Sequence, residues 1–122
     1  MKKIFVILFV FVATATYAQG NLQINQVLLL NSTLASNSNL GTVPSGKIWK
    51  IESFACSYTV SQGGLHLMLN GVEAGLLSPT SLQTDIIKYP IWLPAGTQLG
   101  FENNNSGGQM VWFSIIEFNL VP

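Results

Sequence analysis

The chain of 122 residues carries five lysines, no arginine, five acidic residues and one histidine, so its formal net charge is zero, and only 8% of it is charged against 48% hydrophobic. With no basic stripe there is nothing to neutralise a phosphate backbone, and nucleic acid is excluded as a partner. The single cysteine, Cys56, cannot close an internal disulfide, so stability has to come from a packed core.

Met1-Lys2-Lys3 is a short positive region, followed by an almost wholly apolar run from Ile4 to Ala13 that is too short to span a bilayer. Thr16-Tyr17-Ala18 then supplies small residues either side of a bulky one. The pattern predicts a signal peptide over 1–18, cleaved after Ala18, and a secreted, periplasmic or cell-surface product without a membrane span. The Tyr-Ala-Gln junction resembles export signals common in Bacteroidota. Residues 19–122 have the length of one domain.

Along that domain the period is two, not 3.6. Leu22, Ile24, Leu28 and Leu30 alternate with Gln23, Asn25 and Asn31, which predicts a first strand. Asn31 to Gly41, rich in Ser and Asn, is expected to be a loop crossing one end of the fold. Val43-Pro44-Ser45-Gly46 predicts a turn, and Lys47 to Tyr58 a strand with Trp49 and Ile51 inside and Lys50 and Glu52 outside. Two apolar runs joined by Asn70-Gly71 form the strongest short hairpin signal in the chain. Asp85 to Leu93 reads as a strand placed at an edge by Pro90, which has no amide to donate to a ladder. Leu93-Pro94-Ala95-Gly96-Thr97 is a second turn, leading to Leu99 and Phe101, and Asn103 to Gly108 is a third turn before a last strand from Gln109 to about Val121. The prediction is an all-β fold: a single β-sandwich, jelly-roll-like, of seven or eight antiparallel strands.

The Val43-Pro44-Ser45-Gly46-Lys47 and Leu93-Pro94-Ala95-Gly96-Thr97 segments resemble turns of small β-sandwich modules from phage tail and virion proteins and from bacterial secreted proteins. The resemblance covers roughly Thr42 to Val121 in layout. It implies a jelly-roll-like, often oligomeric module and transfers no active site.

Catalytic chemistry finds no constellation to use. His66 and Asp85 have no nucleophile-elbow sequence to complete a triad. One His and one Cys fall short of a zinc site. Glu52, Glu102 and Glu117 fall on the outward phase of their strands, as solubilising charges do. Cys56 lies in an apolar run without a basic neighbour, which predicts a buried, inert thiol. No catalytic residue, metal or cofactor is expected.

Two non-catalytic readings remain, both compatible with the same fold. In one, the last strand drives assembly into a homo-oligomeric structural or interaction protein. Glu117 and Asn119 set its outward phase, which carried backwards places Val111, Phe113 and Ile115 outside, as an interface with a second copy. The competing placement has that face covered by the Asn31 to Gly41 segment of the same chain. In the other reading the domain binds a glycan or cell-surface polymer. Trp92, on the outward phase with Lys88 and Pro90, would stack on a sugar ring beside the amides of Asn103, Asn104 and Asn105. Trp49 and Trp112 are expected in the core.

Overall fold

In the computed structural model the described residues are 21–33, 37–56, 64–78, 86–103 and 110–121. The segment expected to be a signal peptide, residues 1–18, lies outside them, as do Asp85, Asn104 and Asn105.

Eight strands form two four-stranded sheets: β1 (Asn21–Thr33), β2 (Asn37–Thr42), β3 (Lys47–Cys56), β4 (Leu65–Leu69), β5 (Val72–Ser78), β6 (Ile91–Leu93), β7 (Gln98–Asn103) and β8 (Met110–Val121). Sheet I has the order β1-β8-β3-β6 and sheet II the order β2-β7-β4-β5, with every strand pair antiparallel. The first and last strands pair, and the chain passes repeatedly between the sheets, as in a jelly roll built from two Greek keys. The expected all-β sandwich is the fold observed.

The turn chemistry is local and specific. Asn70 and Gly71 both take positive φ, 53° and 75°, the combination that a type I′ hairpin turn demands. Asn70 is tied to β7 twice, its amide donating to Gln98 O at 2.9 Å and its Oδ1 accepting from Gln98 N at 2.8 Å. The two Pro-x-Gly turns lie side by side at one end of the sandwich. Val43 N donates to Thr97 O and Gly96 N to Val43 O, each at 2.9 Å, which closes the end of the core over the buried Val43 side chain.

Leu65, Leu67, Leu77, Leu99 and Phe101 from sheet II meet Trp49, Ile51, Leu93, Val111, Phe113 and Ile115 from sheet I in one continuous core. Here the expected phase of the last strand is overturned. Val111, Phe113 and Ile115 are fully buried, so they face sheet II and no second copy can reach them. They are covered by the opposite sheet, to which the Asn31 to Gly41 segment contributes through β2, with Leu40 packed against the core. Most of that segment is strand: β1 runs on to Thr33, and β2 is an edge strand paired with β7. Trp112, expected inside, lies on the outward phase with Met110, Ile116 and Phe118.

Two β-bulges explain the misplaced phases of β1 and β3. The β1/β8 register slips between Ile24 and Gln26, and the β3/β8 register between Ile51 and Ser53. Each bulge puts two residues opposite one and reverses the alternation beyond it. Leu22 and Ile24 therefore face outward while Leu28 and Leu30 face the core, although all four have even numbers. In the same way Ser53 leaves the core phase, and Phe54 and Cys56 enter it.

Candidate interaction surface

The outward face of sheet I is apolar from edge to edge. Strand β8 contributes Met110, Trp112, Ile116, Phe118 and Leu120 to it. Their register partners on β1 bring Leu22 opposite Leu120, Ile24 opposite Phe118, Val27 opposite Ile116 and Leu29 opposite Ser114. On the other flank β3 adds Ile48, Ser53 and Ala55 in register with the same row, and Trp92 from β6 lies beside Lys50. Seven of the nine large hydrophobic side chains exposed among the described residues belong to this face, with Ile24, Val27 and Leu29 each more than 60% exposed.

Charge is nearly absent from it. Lys50 pairs with Glu52 at 2.5 Å and holds its ammonium 5.4 Å from the Trp92 ring centroid, a cation–π contact. Trp92 leans on Phe118, with centroids 5.5 Å apart and planes inclined by 34°. That tilt and the lysine above the ring make a packed corner of the face, not a flat platform.

Of the residues grouped as a sugar site, the two described ones, Trp92 and Asn103, do not come together. Trp92 is about half exposed on the outer side of sheet I, as expected, whereas Asn103 ends β7 in sheet II and is buried. Sheet II instead carries a groove of about 320 Å³ lined by Ser38, Asn39, Met68, Gly71, Gln98 and Gly100. Gly100 lets β2 approach β7 closely there: a Cβ would lie 2.8 Å from the Ser38 carbonyl oxygen.

Glu117 departs furthest from its expected place. Its side chain points inward and is 3% exposed. Trp49 Nε1 donates to Oε2 at 2.8 Å, while Asn25 Nδ2 and Gln26 Nε2 donate to Oε1 at 2.6 and 3.0 Å. The β1 bulge makes this possible, because it sets two consecutive amides against one carboxylate. Asn25 is linked onward to Asn119, which also accepts from the Lys47 ammonium. Burial pushes the Glu117 carboxyl up, but the three hydrogen bonds and the Lys47 charge outweigh it and hold the group below its ordinary value. With three donors on its two oxygens, this carboxylate braces the end of the core.

His66 and Cys56 have defined surroundings as well. His66 Nδ1 lies 2.6 Å from Glu73 Oε1 across the hairpin. Cys56 is half-buried against the core, and burial raises its thiol pKa, which disfavours the reactive thiolate. Among the described residues no group of three or more His, Cys, Asp or Glu side chains is placed to hold a metal ion. Among the described residues, the apolar face of sheet I is where the exposed large hydrophobic side chains concentrate. Compared with protein-family models, curated proteins and solved structures, the chain matches none.

Proposed function

We propose that this is an exported, non-catalytic structural protein that works as a homo-oligomer, with the outer face of sheet I as the contact between copies. The supporting observation is the concentration of exposed apolar side chains on that one face. Soluble monomers avoid contiguous patches of this size unless they meet a partner.

The partner is a second copy of the chain. The face is neutral and offers no charge pattern to select a charged partner, and a twisted sheet face is complementary to its own copy in aligned packing. Strands of 13, 12 and 10 residues span on the order of 500 Å² in projection, comparable with the ~800 Å² that one partner gives a standard interface. Seven half-exposed side chains would contribute about 1 kcal/mol each, of the same order as the roughly 4–15 kcal/mol cost of association. Assembly is accordingly concentration-dependent and is to be sought at tens of micromolar. Sedimentation of the chain lacking residues 1–18 tests the reading. A reversible oligomer that Trp112→Glu converts to a folded monomer is the expected result, and a wild-type monomer throughout that range would overturn it.

A second reading, a carbohydrate-binding module, draws on the sheet II groove and no longer on Trp92 with Asn103. Ser38, Asn39 and Gln98 are uncharged and polar around the apolar Met68, a lining suited to a neutral, hydroxyl-rich ligand. Titration with neutral oligosaccharides, read by Gln98→Ala, separates it from the first.

A further inference from the structure

We infer that the free edge of β1 is a second self-association site, where two copies pair antiparallel about a two-fold axis at Leu28 and join their sheets I into one sheet of eight strands. This inference rests on the reading of the chain as self-assembling, but uses a different surface.

The four sheet edges of the domain are not alike. Strand β6 is three residues long and follows Pro90, so it offers almost no ladder. Strand β5 is covered: Ile87 N donates to Leu76 O at 2.9 Å, and Leu76 forms a bridge with Ile86. Strand β2 has six residues and a register slip between Asn39 and Gly41. Short length, proline, irregularity and covering are the means by which natural sheets prevent edge pairing. Strand β1 has 13 residues, no proline and no charge, and among the described strands its one ladder partner is β8. Its one irregularity is the bulge at Asn25.

A second observation comes from the inner phase of the same strand. Leu28 and Leu30 pack against the core yet stay only half-buried, because no described strand lies beyond β1 to cover their outer flank. A copy paired at this edge brings its own Leu28 and Leu30 to that flank.

The register follows from where the strand is regular. The Asn25 bulge interrupts it on one side, and from Gln26 to Thr33 the pairing with β8 is regular. Opposed residues of an antiparallel pair share a face, and within this stretch a two-fold axis at Leu28 opposes its most exposed apolar side chains, Val27 and Leu29. A two-fold there sets Leu28 against Leu28 of the copy and Val27 against Leu29, while Gln26 meets Leu30. Since no residue from Asn21 to Thr33 is charged, no like-charge pair can arise. The apolar outer faces of the two copies then run on continuously.

Disulfide trapping tests the register. In a Cys56→Ser background, Leu28→Cys places two thiols on residues whose Cα atoms lie about 4.5–5.5 Å apart, within disulfide reach. Leu30→Cys puts the two Cα atoms roughly 13 Å apart, beyond it. The expected result is a covalent dimer from Leu28→Cys under mild oxidation and none from Leu30→Cys. No dimer at Leu28, or equal dimer at both positions, would overturn the inference. Because side chains of the inner phase cannot meet across the outer face, the dimer should persist when Trp112→Glu is added, and the two readings fail separately. Hydrogen exchange on the unsubstituted protein is the independent check. Every amide from Gln26 to Leu30 should be protected in the assembled state, whereas a free edge would leave alternate amides exchanging fast.

Discussion

Trp49 donates its indole N–H to Glu117 Oε2 at 2.8 Å across a directly opposed pair of β3 and β8, and both side chains are buried. The contact joins the core to the only carboxylate buried among the described residues, so the stability of the sandwich is coupled to one proton. Glu117 is held below its ordinary value of 4.5 in the folded state. Its contribution to stability is fully present above about pH 4.5 and is lost as pH falls through the depressed folded-state value. Glu117→Gln keeps the shape but removes the charge-assisted bonds, at a cost of about 1–3 kcal/mol near neutral pH. Thermal melts at a series of pH values should show the wild type losing its advantage over Glu117→Gln as the solution is acidified below 4.5. A constant gap between the two curves would contradict this.

The Asn70-Gly71 hairpin gives a contrast in stability. Proline at position 70 cannot take the φ of 53° and lacks the amide that donates to Gln98 O, so Asn70→Pro should cost roughly 3 kcal/mol or more. Glu73→Gln, two residues past the turn, breaks the contact of an exposed carboxylate with His66 and should change stability by less than about 1 kcal/mol. Denaturant midpoints of the two variants, compared with wild type, check both values.

Gly100→Ala should loosen β2 from β7. The added Cβ would come 2.8 Å from the Ser38 backbone oxygen, and backbone in a ladder yields less readily than a flexible side chain. A loss of about 1–3 kcal/mol is expected, with faster hydrogen exchange concentrated in Asn37–Thr42. Unchanged exchange in that strand would show that the sheet adjusts without strain.

Turns and strand count were legible in the sequence because Asn-Gly and Pro-x-Gly act through local backbone geometry. The facing of strands was not, because counting by twos assumes an unbroken ladder. Nothing in Gln23-Leu22-type alternation announces the bulges at Asn25 and Glu52, yet each reverses everything after it. On β8, which has no bulge, Glu117 alone caused the error: a glutamate in a strand normally marks the wet side, and only three donors from two other strands make the dry side available to it. Strand β2 was missed for a different reason. As an edge strand of Asn, Ser and Gly it contributes little to the core, so composition showed a loop where pairing with β7 makes a strand. The apolar face itself was within reach of the sequence, since the alternate phase of the last strand, Met110, Trp112, Ile116 and Phe118, is as hydrophobic as the buried one.

The last prediction sets two neighbours against each other. Trp112 and Phe113 are adjacent on β8 and point to opposite sides of sheet I. Phe113 is fully enclosed and stacks at 5.1 Å on Phe54, so Phe113→Ala should cost about 3–5 kcal/mol from lost burial and the cavity left behind. Phe113→Glu would bury a charge with no donor designed for it, and the domain should not fold. Trp112→Glu places its carboxylate at the water side of the same strand, between Asn31 and Ala55, where it can stay hydrated. Trp112 is itself partly buried against its neighbours on that face, so at a dilution where wild type is monomeric the variant should lose a modest stability, about 1–2 kcal/mol, and still fold. At tens of micromolar the comparison changes: wild type gains stability by assembling and Trp112→Glu does not, so the gap between their melting temperatures should grow with concentration. A gap independent of concentration would leave the outer face of sheet I without a role in assembly. Trp112→Glu unfolding as readily as Phe113→Glu would mean that the two faces of β8 are not distinguished in solution as they are in the structure.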